Sequence, residues 1–290
     1  MANEVTCVWP LGACLGEGPV WSAAEKAVWF VDIKRKQIHR FDTATHQGRS
    51  WSAPSEPGFV LPVQGGGFVA GLKTGLHRFD PRSGEFTLIA TVESADLNNR
   101  LNDACVDSAG RLWFGSMHDP ETKSSGSLYR FERDGTCVPC DTGYVVTNGP
   151  AISPDGKTLY HVDTLGQTMY AFDLAEDGSL SNKRVFTKID QPNVYPDGPA
   201  VDADGCVWSG LFGGWGLVRF SPKGEMLERI DVPCANVTKA AFGGDDLQTL
   251  YITTAWVGLD DSQRNAQPEA GGLFTARVST PGLPQHAVHL

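Results

Sequence analysis

Six short apolar runs recur along this chain at intervals of roughly 40 to 48 residues, and that spacing restricts the fold more than any other feature. The runs occupy residues 27–32, 67–72, 111–115, 158–163, 206–210 and 249–253. A second run follows each, at 37–42, 75–80, 127–131, 168–173, 216–220 and 272–276. Apolar and polar residues alternate within them, as in Gln37-Ile38-His39-Arg40-Phe41-Asp42, which is the period-two pattern of half-buried strands. Turn sequences punctuate the series: Asp107-Ser108-Ala109-Gly110, Ser153-Pro154-Asp155-Gly156, Asp202-Ala203-Asp204-Gly205 and Ser221-Pro222-Lys223-Gly224. Asp supplies local hydrogen bonds there and Gly a positive φ. Regularly spaced strands also suit a sandwich, but a long repeat of paired hairpins predicts an all-β, six-bladed β-propeller. Little chain remains after Val278, so the run at residues 6–9 is expected to complete the last blade and close the ring. No long 3.6-residue apolar pattern is present, so helices should be scarce, and residues 258–270 read as a loop within the sixth blade.

No linker or low-complexity stretch interrupts the repeat, so residues 1–290 read as a single domain. The apolar fraction of 41% is ordinary for a globular core. The net charge of −10 argues against nucleic acid or an anionic membrane as partner, since both need a basic face. It is compatible with a pocket that holds a cation. No run approaches the roughly 20 apolar residues of a membrane span, and the N-terminus lacks the apolar region of a signal peptide. Seven scattered cysteines, an odd number, fit reduced thiols and a cytoplasmic location. Cys137 and Cys140 form a lone CxxC that belongs in a blade's outer strand rather than in a zinc site. A closed ring has no long free edge, which favours a monomer.

Three segments share one phase of the repeat: Glu17-Gly18-Pro19, Asn148-Gly149-Pro150 and Asp197-Gly198-Pro199. Each lies eleven or twelve residues before an aromatic of the apolar runs, Trp29, Tyr160 or Trp208. Arg100-Leu101-Asn102-Asp103 holds the same phase ahead of Trp113. A ring that repeats such a phase brings acids and amides from distant sequence onto one surface. Two carboxylates and an amide carbonyl are hard oxygen donors suited to Ca²⁺, Mg²⁺ or Mn²⁺, and Zn²⁺ or Fe²⁺ also accept them.

With these segments, the chain resembles the senescence marker protein / gluconolactonase / regucalcin family over essentially its whole length. The motifs that carry the resemblance include Leu15-Gly16-Glu17-Gly18-Pro19-Val20-Trp21, Arg100-Leu101-Asn102-Asp103, Thr147-Asn148-Gly149-Pro150, Tyr195-Pro196-Asp197-Gly198 and Gln267-Pro268-Glu269-Ala270-Gly271-Gly272. Leu97-Asn98-Asn99-Arg100 and Phe114-Gly115-Ser116-Met117-His118-Asp119 look most like the bacterial sugar-acid lactonases, xylonolactonase in particular. The resemblance implies a six-bladed propeller with one divalent cation near its axis that hydrolyses aldonolactones. It places the metal ligands at Glu17, Asn148 and Asp197, and the substrate contacts at Arg100 and Asn102. Asp103 then supports the site from behind.

The resemblance also implies an acid in a loop over the pocket, which here reads Met117-His118-Asp119-Pro120-Glu121, with Asp119 and Glu121 as candidates and His118 as a substrate contact or proton shuttle. The second blade offers no ligand in Pro57-Gly58-Phe59-Val60, which is expected to form an apolar wall. Lys239 falls near the inner phase, to pair with an acid or touch substrate. Trp215 and Trp256 lie in loops within reach of a sugar face, although packing between blades accounts for most Trp in such a fold. Asp197 is the natural general base for water attacking the lactone carbonyl, and water activated by the cation is the competing source of the nucleophile. There is no Gly-x-Ser-x-Gly elbow to support a serine mechanism. Two other functions fit the same ring: a metal-dependent hydrolase of phosphotriesters or aryl esters, and a non-enzymatic calcium-binding regulator or interaction platform. The Arg100/Asn102 pair in a polar pocket favours a polyhydroxylated lactone over an apolar ester.

Overall fold

Each pair of apolar runs forms the middle of a four-stranded antiparallel sheet, and six such sheets make up the computed structural model, which describes residues 4–290. The innermost strands of blades one to six are Gly16–Ser22, Pro57–Pro62, Asn99–Val106, Thr147–Ile152, Tyr195–Val201 and Asn236–Gly243. They pack against one another around the axis in ring order, and Gly16–Ser22 meets both Pro57–Pro62 and Asn236–Gly243. The ring therefore closes. Val5–Trp9 pairs antiparallel with Leu273–Arg277 as the outer strand of blade six, so the chain's beginning locks its end as expected. Cys137 and Cys140 lie on Cys137–Tyr144, the outermost strand of blade three.

The expected loop at 258–270 contains a short helix instead, Asp261–Ala266. Asp260 caps it by accepting from the Gln263 amide, and the Gln263 side chain returns a bond to the Asp260 amide. That reciprocal pair stabilises a single turn without an apolar stripe. No helix of the described residues is long and apolar enough to cross a membrane.

The aromatics of the second strands fill the spaces between blades. Trp29, Trp113 and Trp208 are fully buried, and truncating a Trp in such a position costs about 3–5 kcal/mol. In blades three and five the turn aspartates complete the arrangement. Asp107 Oδ2 accepts from Trp113 Nε1 at 2.9 Å and Arg111 Nε at 2.6 Å. Asp202 Oδ2 accepts from Trp208 Nε1 at 2.9 Å and Arg219 Nε at 2.8 Å.

All six innermost strands break register with their neighbours at the same level. The breaks fall between Glu17 and Val20, Pro57 and Phe59, Leu101 and Ala104, Asn148 and Ala151, Pro196 and Pro199, and Val237 and Lys239. Proline has no N–H to give a ladder, and Gly18 and Gly149 take φ of +55° and +79°. The Gly-Pro segments are thus bulges inside the innermost strands, not turns between strands. A bulge re-aims the side chain beside it, and every blade carries one near the start of its innermost strand.

Candidate active site

Glu17, Asn102, Asn148 and Asp197 come together at that level, with Arg100, around a cavity of about 270 Å³. All five side chains are buried. Asn102 Nδ2 donates to Asn148 Oδ1 at 3.0 Å and to the Thr147 carbonyl at 2.6 Å, while Asn148 Nδ2 donates to Thr164 Oγ1 at 2.9 Å. Those bonds fix the orientation of the Asn148 amide, whose oxygen accepts from Asn102 and whose nitrogen donates to Thr164. Glu17 Oε2 accepts from the Gly18 amide at 2.6 Å, and Asp197 Oδ1 from the Gly198 amide at 2.9 Å. Each acid thereby uses one oxygen on its own bulge.

The electrostatics are unbalanced. Burial, and next the charge of Asp103, push the Glu17 carboxyl up to about 7. Burial, then Glu17 and Asp103, push Asp197 well above the usual carboxylate range. The two are close enough to hydrogen-bond to each other, so without a cation they titrate as one pair that retains a proton. Neither has a basic side chain as a direct partner: Lys239 is held by both oxygens of Asp103, and Arg100 by Asp119 and Asn102. Lys239 offsets the Glu17 charge only from a distance, and two buried carboxylates without a basic hydrogen-bond partner, beside an amide oxygen, fit a divalent cation of the hard kind. Among the described residues no three His, Cys, Asp or Glu side chains converge; the Asn148 amide oxygen is the further oxygen at this level that could join the two acids.

Arg100 reaches the cavity from blade three. Its Nη1 donates to Asn102 Oδ1 at 2.6 Å and its Nε to Asp119 Oδ1 at 2.7 Å. Lys34 Nζ shares that same Asp119 oxygen at 2.9 Å. Burial raises Asp119, but Lys34 and Arg100 outweigh it and hold the carboxyl below its ordinary value. Asp119 is therefore a brace for two cations. Lys34, Glu121 and Tyr195 line the cavity with Arg100; the family resemblance singles out Glu121 with Asp119 as the loop acid but gives Lys34 and Tyr195 no role.

Other residues lie elsewhere. His118 is buried and does not line the cavity; its Nδ1 accepts from the Thr122 amide at 3.2 Å and its Nε2 has no partner. Phe59 of blade two lines a separate cavity of about 440 Å³ rather than a wall of this one. Trp256 donates from Nε1 to the Gly12 carbonyl at 2.9 Å and stacks under Arg264, and Trp215 is 44% exposed; neither lines the cavity. The surround is also more apolar than the sequence suggests. Leu15, Met117, Val146, Leu165, Phe212 and Val257 contribute to it from strand ends and connecting segments.

Comparison with known proteins agrees with this fold. The model of the SMP-30/Gluconolactonase/LRE-like region matches residues 15–256. A 6-deoxy-6-sulfogluconolactonase of Pseudomonas putida is 32% identical over 98% of both chains. Human regucalcin is 32% identical over 93% of both. Among solved structures, a calcium-binding protein, regucalcin, from Agrobacterium tumefaciens superposes with a TM-score of 0.95 at 26% identity, covering 100% of this chain and 99% of that one.

Proposed function

Because the chain belongs to the SMP-30/gluconolactonase family, we propose that it is a lactone hydrolase acting on sugar-acid lactones, with a divalent cation held by Glu17, Asn148 and Asp197. The observation that carries this reading is the pair of buried acids, both held above the ordinary carboxylate range, beside an amide oxygen at a small cavity. A relative over nearly the whole chain is named a gluconolactonase. The cavity of about 270 Å³ falls just under the ~300–1,000 Å³ of drug-sized sites, which suits a single sugar ring.

When bound, the cation supplies positive charge against the oxyanion that forms at the lactone carbonyl. Asp197 keeps Oδ2 free of its own bulge and is placed to take the proton of an attacking water. The same carboxyl then returns that proton to the ring oxygen as the C–O bond breaks, so lactone and water become the open hydroxy acid. Arg100, braced by Asp119, offers its remaining guanidinium donors to the substrate's oxygens, and Asn102 holds the Asn148 amide in its orientation. Tyr195, Lys34 and Glu121 lie where they can meet ring hydroxyls. The apolar surround excludes water from the site.

A substrate panel tests the reading. Pentono- and hexonolactones in both ring sizes, a phosphotriester and an aryl ester would be offered to the cation-loaded protein slightly below neutral pH. Turnover of aldonolactones with little action on the other esters is expected. Turnover confined to the aryl ester or phosphotriester would replace the substrate assignment, and no turnover at all would favour a binding role.

A further inference from the structure

The axis holds a second buried charged pair that the reaction above leaves unused. Asp103 of blade three and Lys239 of blade six are 1% and 7% exposed, and Lys239 Nζ donates to both carboxylate oxygens at 2.6 and 2.7 Å. Asp103 Oδ1 also accepts from the Ala104 amide, and Oδ2 from the Gly149 amide, both at 2.8 Å. Gly149 directly follows Asn148. The aliphatic stem of Lys239 fills the space where a side chain on residue 198 would stand: a Cβ at Gly198 would lie 2.6 Å from Lys239 Cδ. Gly198 directly follows Asp197. The pair therefore grips the residue after two of the three proposed cation ligands. Beyond it lies the cavity of about 440 Å³, which Asp103 and Lys239 both line.

Fold stability alone does not account for such a pair. Replacing a buried ion pair by apolar groups of similar shape is often neutral or stabilising. What the pair does here that apolar groups would not is bond the Gly149 N–H and tether the Lys239 stem, through its ammonium, in place against Gly198 across three blade interfaces. We infer that Asp103 and Lys239 are positioning residues that set the geometry of Asn148 and Asp197 for the cation. The inference rests on the proposed cation site. Groups that orient metal ligands typically contribute 10- to 100-fold to affinity.

The test measures Mn²⁺ and Ca²⁺ affinity by titration calorimetry, with folding followed by circular dichroism. The variants are Asp103→Leu/Lys239→Met, which keeps the shape and removes every polar contact, and Asp103→Asn/Lys239→Met, which keeps an acceptor for the Gly149 amide. The first is expected to fold and bind roughly 10- to 100-fold more weakly, and the second to recover part of that loss while still binding about threefold or more below wild type. In the turnover assay kcat should fall more than KM rises. A folded Leu/Met variant with wild-type affinity overturns the inference while leaving the cation site standing. If that variant does not fold, wild-type affinity in the Asn/Met variant overturns it equally. Wild-type protein that binds neither cation removes the site itself, and the inference with it.

Discussion

Asp197 and Asp202 sit five positions apart in one blade, both buried and both acidic, yet their surroundings are opposite. Asp202 is saturated by donors of its own blade: Trp208 Nε1 and Arg219 Nε on one oxygen, and the Asp204 and Cys206 amides on the other. Asp197 has one backbone amide and faces Glu17, another acid. A buried carboxylate whose every lone pair is answered belongs to the fold. One left facing its like is waiting for a charge the protein does not supply. Solvent exposure does not distinguish the two; the donors around them do.

Four substitutions or conditions break or sharpen that contrast. Asp197→Asn carries the largest expected effect. Lactone hydrolysis should drop by about 10²–10⁴ and cation affinity should fall steeply in calorimetry. The cation-free variant should nonetheless melt no lower than cation-free wild type, because a repulsion has been removed. Asp202→Asn should do the reverse: leaving Arg219 and Trp208 under-satisfied should cost about 3 kcal/mol in urea unfolding, with cation affinity of the folded protein within about twofold of wild type. A variant that lost affinity as Asp197→Asn does would erase the distinction between the two acids.

The third prediction concerns pH. In the cation-free protein, Glu17 is raised from its usual 4.5 to about 7. The folded state then holds a proton that the unfolded chain releases, so stability is fullest below pH 4.5 and declines as the pH rises through about 7. Melting temperature in chelator should fall between pH 5 and 8, by several degrees, and excess cation should flatten the slope. A cation-free melting temperature that rises over that range would show that burial and Asp103 do not hold Glu17 above its ordinary value. The smallest effect is expected at Arg100→Lys. An ammonium cannot reproduce the fork that spans Asp119 and Asn102, so KM for the lactone should rise by about tenfold while cation affinity stays put.

The ring and its closure were legible because strand periodicity repeats in every blade, down to Val5–Trp9 completing the sixth. The phase of Glu17, Asn148 and Asp197 was legible for the same reason: a propeller converts equal phase into equal height on the axis. What lay beyond the pattern depends on how side chains turn after a bulge. His118, one residue past Met117, turns into protein while Met117 lines the cavity. Lys239 and Asp103 meet across 136 residues of sequence, a contact made only by closing the ring. Lys34 joins the site from a turn in blade one, where no apolar rhythm marks it. The shared phase of the Gly-Pro segments was legible, but not that each is a bulge inside an innermost strand, where a proline without an N–H interrupts the ladder.

The most direct measurement is titration calorimetry of Mn²⁺ and Ca²⁺ into chelator-stripped protein, wild type and Asp197→Asn, with lactone hydrolysis assayed on the same samples. Wild type is expected to show a single saturable site and hydrolysis that returns in proportion to its occupancy, and the variant a steep loss of both. Full hydrolysis by stripped wild type, or undiminished cation binding by Asp197→Asn, would contradict this expectation.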